Sequence, residues 1–575
     1  MSAPGQKLAA RGATVQQGIR PGVPIQRALA LLKQGKRGEA EAICEGLLAR
    51  NPEHFAALAL LGGVCLRTGR QERAAKLLAR AVEANPRVAR VHNNLGEALK
   101  ALKRPQLALR SFNKALQLEP KMIVALSNKA QILYQAKRYA EALGCYDKLV
   151  HLDPKLSRAW FNRGNCLRLL KRPLTALENY DKAVALAPDW DRAYLSRGAL
   201  LLDEDRCEEA LENFEKARDL NPESVQPWYS RGNALRDLNR IPEAIESYEE
   251  AKKRSKEPFS PAIWNQANCY LAIGDYENGL PGYEHRNSRR IQAKKRDYKQ
   301  PVWLGEEDIA GKTLFIYPEL YLGDMIQFCR YAKLAEERGA RVILAAQKPL
   351  HQLLKSLSPT IEIIGADDTP EHFDFYTPLM SLPLAFKTTL KTIPADVPYL
   401  HAEPERVEKW KERLGSDGFK IGICWQGTLT GYAERLRRSF SGFHFRGIAK
   451  IPGVRLISLQ KVDETDPANV LPQDMKIERF GAELDSGPDA FVDTAAVMQS
   501  LDLIISTDTA LVHLAGMLAR PTWLIVKQVP DWRWLMDRAD CPWYPTLTLF
   551  RQKVRGDWKS AFEEVEAALR AKLGV

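Results

Sequence analysis

The 575-residue sequence predicts a helical repeat solenoid followed by an α/β half built from two parallel-sheet lobes. Three observations carry that prediction. Pro52, Pro86, Pro120, Pro154, Pro188 and Pro222 are each 34 residues from the next. After Pro301, short apolar runs alternate with amphipathic helical stretches. Residues 501–526, LDLIISTDTALVHLAGMLARPTWLIV, read as a buried strand, a polar turn, a helix and a second buried strand.

Within each 34-residue period a small residue falls mid-way along a first helix (Gly62, Gly96, Ala130, Gly164, Gly198, Gly232). From the second period on, Ala and an aromatic follow in a second helix, as in Ala108/Phe112, Ala142/Tyr146 and Ala176/Tyr180. Small residues let paired helices approach, aromatics fill the space between them, and proline ends the second helix. This pattern resembles the tetratricopeptide repeat (TPR) over residues 23–285, about seven repeats, the last less regular and starting near Trp264. The resemblance implies a superhelix whose first helices line a concave, peptide-sized groove. Asn94, Asn128 and Asn162 then stack as a polar ladder suited to a protein acceptor's backbone, or are simply common TPR residues. Arg163, Arg197 and Arg231 repeat at the same period, either to read acidic side chains or to keep the surface soluble.

Strands are predicted at KTLFIYPE, ARVILAA, IEIIG, FDFYTPL, FKIGICWQG, VRLISLQK, LDLIIS and PTWLIV. GDMIQFCRYAKLAEERG reads as one amphipathic helix closed by Gly339, and Pro394 to Trp410 as the hinge between the lobes, 301–400 and 401–575. Ligands of open α/β sheets sit at the carboxyl ends of strands, where GICWQG, SLQK and STDT fall. At STDT, Ser506, Thr507, Asp508 and Thr509 stand where a helix begins, and free helix amides favour a phosphate. His513 is one turn along. GEEDIAGKT (305–313) imitates a phosphate loop, but its spacing is one residue too long and it precedes a strand. Asp189/Asp191 and Asp203/Asp205 imitate a metal pair but fall in repeat turns.

Composition narrows the classes. Hydrophobic residues at 45% and charged residues at 27% fit a globular protein, and no apolar stretch approaches membrane-spanning length, so no stable membrane insertion is expected. Residues 1–22 lack an apolar signal core and read as a flexible lead-in. Nine cysteines with no zinc spacing point to a reducing cytoplasm. The net charge of +13 suits nucleic acid, an anionic surface or an acidic ligand alike. Its densest stretch, RNSRRIQAKKRDYK, lacks stacking aromatics, so 286–300 is read as a solvated basic linker and no nucleic-acid partner is expected.

With Leu322–Gly323–Asp324 in one lobe and STDTALVHLAG in the other, residues 301–575 resemble GT-B glycosyltransferases of the ADP-heptose:lipopolysaccharide heptosyltransferase type. They are closer still to the version fused behind TPR arrays in bacterial proteins. The shared segments are LGDMIQFCRY, PLMSLPLAF, PYL, GICWQG, RRSF, SLQK, DTAAVMQSLDLIISTDTALVHLAG and DWRWLMDRADCPWYPTLTLFRQ. The arrangement is similar to protein O-GlcNAc transferases and bacterial flagellin glycosyltransferases.

The resemblance implies two Rossmann-like lobes, a nucleotide-sugar donor, no cofactor and no essential metal. It implies Asp324 as the catalytic base, a plain helix cap being its other reading. Donor binding falls to Asp508, Thr509 and His513, with Ser506, Thr507 and Ala510 beside them, Ala510 replacing a frequent glycine. Arg438 and Lys461 are the candidate cations for the leaving phosphate, and Trp425 and Gly427 end a strand near the nucleotide, core packing being the other reading of Trp425. Where TPR-fused relatives usually read Glu-Gln-Gly-Leu-Gly-Asp, this chain reads Glu319–Leu320–Tyr321–Leu322–Gly323–Asp324. The expected function is transfer of a sugar to Ser/Thr of a protein acceptor such as flagellin. The alternatives are a non-enzymatic scaffold with a degenerate transferase fold and an enzyme acting on a lipopolysaccharide or lipid acceptor.

Overall fold

The computed structural model describes residues 22–289, 296, 298–319, 321–427, 438–461, 471 and 474–575. The lead-in 1–21, most of the basic stretch beyond Arg289, and Leu320 lie outside the described residues. The chain divides into two compact units, Met1–Arg206 and Cys207–Val575.

From Val23 to Tyr283 sixteen helices follow in order, beginning Val23–Lys33, Arg37–Arg50 and Phe55–Arg67 and ending Ser260–Ala272 and Tyr276–Tyr283. That makes eight helix–turn–helix segments where the sequence suggested about seven. The small-to-aromatic rule holds in both units. A Cβ on Gly96 would lie 2.5 Å from the Phe112 ring, one on Gly164 2.8 Å from Tyr180 and one on Gly232 2.6 Å from Tyr248. Each pair is 16 residues apart, so the first helix of a repeat meets the second over bare backbone.

Two further periodicities hold the repeats. The turn inside a repeat passes through a left-handed residue, Gly35, Gly69, Lys103, Lys137, Lys171, Asp205 and Asn239 in succession. In three repeats the residue six places after the proline bonds the proline carbonyl. Trp160 Nε1 bonds Pro154 O and Trp228 Nε1 bonds Pro222 O, both at 2.9 Å, and His92 Nε2 lies 2.8 Å from Pro86 O.

The arginine series is structural. Arg163 donates to Asp147 (2.6 Å) and Asn179 (2.8 Å), and Arg231 to Glu215 (3.1 Å) and Ser247 (2.6 Å), each reaching 16 residues in both directions. Arg197 bonds Asp181 at 2.6 Å. These side chains clip neighbouring repeats together, which corrects their reading as groups free to meet a partner.

The remainder of the second unit contains two parallel sheets. In the first lobe β1 (Thr313–Tyr317), β2 (Arg341–Ala346), β3 (Glu362–Gly365) and β4 (Phe375–Pro378) lie in the order β3-β2-β1-β4. In the second, β5 (Phe419–Cys424), β6 (Val454–Ser458), β7 (Ile477–Glu478), β8 (Leu503–Thr507), β9 (Thr522–Val526) and β10 (Leu547–Arg551) lie in the order β10-β9-β8-β5-β6-β7. All eight predicted strands are present, and β7 and β10 are additional. The phosphate-loop imitation ends at Thr313, the first residue of β1, and is a turn before that strand.

The predicted single helix after β1 is two, Leu322–Phe328 and Arg330–Glu337. Tyr399 Oη and Cys329 Sγ bond the Ile326 carbonyl, and Arg330 Nε bonds the Gln327 carbonyl. Side chains thus take carbonyls the continuous helix would use. Residues 394–410 are fastened to both lobes instead of hinging freely. Arg330 donates to Pro394 O (2.6 Å), Tyr399 N to Met517 O (3.2 Å), and Asp493 accepts from Arg406 (2.8 Å) and Trp410 (3.0 Å).

One apolar core runs from the last helix pair (Leu271, Tyr276, Leu280, Tyr283) through the first sheet to Trp532, Trp534 and Trp543. This changes the reading of the segment after Tyr283. Arg286, expected on a solvated linker, is 1% exposed. It donates to both carboxylate oxygens of Glu319 (2.9 Å each), to Glu284 (2.7 Å) and to Ser381 (2.8 Å). Tyr298, further along, packs edge-on against Phe373 and Tyr376 of the first lobe. Among the described residues no helix is long and apolar enough to cross a membrane.

Candidate functional site

The short helix Leu322–Phe328 and the helix Ala510–Met517 bring the two sequence motifs together. A Cβ on Gly323 would lie 3.1 Å from His513 Cδ2 and 3.4 Å from Ala510 Cα. Gly323 is required there because any larger residue would separate the helices. Asp324, in the first turn of its helix, therefore sits beside the start of the second lobe's helix.

Asp324 is ion-paired. Arg533 Nη2 donates to Asp324 Oδ1 at 2.7 Å, Nη1 to Asp531 Oδ1 at 2.8 Å and Nε to Gln327 Oε1 at 2.7 Å. Arg533 was not singled out from the sequence, although it stands inside the shared segment DWRW. The signal was a lone arginine between two tryptophans and two residues past an aspartate.

Asp508 is half-buried at the C-terminal end of β8. Burial raises its carboxyl above the ordinary 3.8, against the pull of Arg438 and Arg533. His513 is 6% exposed, stacks on Trp534 at 5.3 Å, and its Nδ1 lies 3.1 Å from Tyr544 Oη. Burial first, then Arg533, Arg330 and Arg438, hold its imidazole well below the usual range, so the ring is neutral near pH 7. The sequence reading put this ring in the donor site; here its Cδ2 faces Gly323 of the first lobe.

Ser506 and Thr507 belong to β8 and not to the helix start, and both are fully buried. Ser506 Oγ bonds Thr507 O, and Thr507 Oγ1 bonds the Arg438 carbonyl, so neither hydroxyl faces an anion. Thr509 is the residue before the helix, and its side chain makes no cap bond, with Oγ1 instead 3.9 Å from Cys424 Sγ. At the helix start Val512 N bonds Thr509 O at 3.1 Å.

Arg438 lies over Gly427. A Cβ on Gly427 would lie 3.2 Å from its Nε and 3.3 Å from Nη2, and that buried Nε has no hydrogen-bond partner among the described residues. Lys461, the other expected cation, donates to Asp485 O at 2.8 Å. Trp425 is 1% exposed and belongs to the core around Phe440 and Phe445. Gln460 holds the strand end after it, accepting from Gln426 N (2.9 Å) and donating to Gln426 O (2.8 Å).

Lys527, just past β9, is half-buried and has no hydrogen bond or ion pair among the described residues. Burial lowers its ammonium's affinity for the proton, and Asp237 and Asp508 oppose that shift.

The repeat ladder is only partly free. Asn128 donates to Glu97 (2.9 Å) and accepts from Lys100 (2.8 Å), so its amide is occupied within the array. Asn94 and Asn162 are half-buried with no side-chain hydrogen bond among the described residues. No group of three or more His, Cys, Asp or Glu able to hold a metal occurs among the described residues.

Tetratricopeptide repeat families match residues 31–98, 89–122, 127–189 and 195–258. The chain is 27% identical to Protein FlbA of Caulobacter vibrioides, over 55% of this chain, and it spans 56% of FlbA's length. Among solved structures it is similar to YrrB, described as a TPR protein with an unusual peptide-binding site (22% identity, 33% of this chain, 97% of YrrB, TM-score 0.30). It is also similar to MamA (19%, 29%, 91%, TM-score 0.28) and to pilF of Pseudomonas aeruginosa (24%, 36%, 93%, TM-score 0.31). The helical repeats matched between residues 31 and 258 are tetratricopeptide repeats.

Proposed function

We propose that the chain is a glycosyltransferase of the GT-B type that moves a sugar from a nucleotide-sugar donor to Ser or Thr of a protein recruited by the repeats. The observation that carries the reading is the meeting of Asp324 with the helix start at Ala510, at the carboxyl ends of parallel strands. In this reading the acceptor oxygen bonds the anomeric carbon, its proton passes to Asp324, and the nucleotide phosphate departs as an anion. The amides opening the helix Ala510–Met517 and the Arg438 guanidinium hold that charge, and the buried Arg438 Nε, with no hydrogen-bond partner among the described residues, suits it to that role. The repeats, as a protein-interaction module, favour a protein acceptor such as flagellin over a lipid one.

A scaffold reading is favoured by one observation, the Arg533 ion pair that occupies Asp324. Two measurements separate them. A thermal-shift screen against UDP, ADP, GDP and CMP sugars is expected to show stabilisation by one nucleotide class. Intact-mass analysis of coexpressed candidate acceptors is expected to show added hexose-sized mass with the wild type and none with Asp324→Ala. No nucleotide response together with unchanged acceptor masses favours the scaffold.

A further inference from the structure

We propose that Arg533 is the positioning residue for Asp324, aiming its carboxylate at the acceptor hydroxyl from across the lobe boundary. The inference rests on the transferase reading above and assigns Arg533 no bond-making role. When the acceptor O–C bond forms and the C–O bond to phosphate breaks, the proton goes to Asp324 while Arg533 keeps that carboxylate's direction.

The guanidinium fork is fixed at every corner. Its three nitrogens reach Gln327, Asp531 and Asp324 at 2.7–2.8 Å. A planar guanidinium sets the angle between those bonds, so the carboxylate it holds inherits that angle. The group also lies over the Phe328 ring (5.3 Å) and the Trp532 ring (4.8 Å).

The backbone behind it is equally constrained. Asp531 caps the turn by accepting from Arg533 N at 3.1 Å. Trp532 packs edge-on against Tyr276 (6.1 Å) and Tyr283 (5.7 Å) of the last helix pair. Asp324 belongs to the first lobe and Arg533 to the second, so the carboxylate points correctly only when the lobes are in register. A solubilising arginine would not be buried with two carboxylates and an amide around it.

The test uses full-length protein, the donor that stabilises it and an acceptor identified by mass. Turnover is measured against pH for wild type, Asp324→Asn, Arg533→Gln, Arg533→Lys, Arg533→Ala and Asp531→Asn, with thermal midpoints recorded. Arg533→Gln is expected to lose about 100-fold in kcat with little change in donor KM, because misaimed groups cost turnover more than binding. Its acid limb is expected to move to higher pH, since the carboxylate has lost its cation. Arg533→Lys should fall between the two, and guanidinium ion should restore part of the lost rate to Arg533→Ala. If Arg533→Gln does not fold, Asp531→Asn gives the test instead, with a smaller kcat loss and an acid limb moved to lower pH, because Asp324 has lost a neighbouring carboxylate and kept its cation. Wild-type kcat and pH profile in these folded variants, with Asp324→Asn inert, overturns this inference alone. Full activity in Asp324→Asn, or no transfer by the wild type, overturns the transferase reading and the inference with it.

Discussion

Gly323 and His513 meet with no room for a methyl group, since a Cβ on the glycine would lie 3.1 Å from the imidazole Cδ2. The residue behind it is helix backbone at Ala510, which has little freedom to yield. Gly323→Ala is therefore expected to cost about 1–3 kcal/mol as overpacking. Urea unfolding would show it as a lowered midpoint at constant slope. An unchanged midpoint would mean that the two helices are not held as described.

Acid should weaken the same contact. The His513 imidazole is held well below its ordinary 6.5 in the folded chain, so the unfolded chain binds the extra proton. Stability is then fully present above pH 6.5 and falls as pH drops through that value, by up to about 1.4 kcal/mol per pH unit while the folded ring stays neutral. His513→Gln should flatten the difference in unfolding free energy between pH 7 and pH 5. Equal slopes in both proteins would remove His513 as the source.

Arg286 anchors the last helix pair to the first lobe through Glu319, Glu284 and Ser381. Removing one partner strands a buried carboxylate, so Arg286→Ala is expected to cost about 3–5 kcal/mol. Arg286→Met combined with Glu319→Leu should recover much of that loss, because both charges go together. A double variant no more stable than Arg286→Ala would count against this account.

The repeats offer a pair of substitutions with opposite signs. Lys137 adopts φ 59° in the turn of its repeat, where Gly35 and Gly69 stand in earlier ones. Lys137→Gly is expected to stabilise by up to about 1 kcal/mol, the left-handed penalty outweighing glycine's entropy. Gly96→Ala should instead destabilise by about 1–3 kcal/mol against Phe112, and Phe112→Leu in the same chain should relieve part of it. Thermal melts of the three variants beside the wild type decide both signs.

Much of the fold was legible because its signals are local. A 34-residue proline period, a small residue 16 places before an aromatic, and short apolar runs each follow from chain geometry over a few turns. β10 was missed because LTLFR alternates weakly beside a tryptophan-rich loop. The helix break at Cys329 depends on Tyr399, seventy residues away in the chain, and no local pattern contains it.

The site divides the same way. The sequence by itself determined that Gly323–Asp324 and Asp508–His513 stand at strand-to-helix turns, because apolar periodicity and polar helix starts are written in neighbouring residues. Only the tertiary structure decided that Ser506 and Thr507 face inward, that Lys461 is spent on a carbonyl and that Arg286 is buried. It alone joined Asp324 to Arg533, 209 residues apart. Such ion pairs depend on which side chains share a buried volume, and that is set by packing between lobes and not by spacing along the chain.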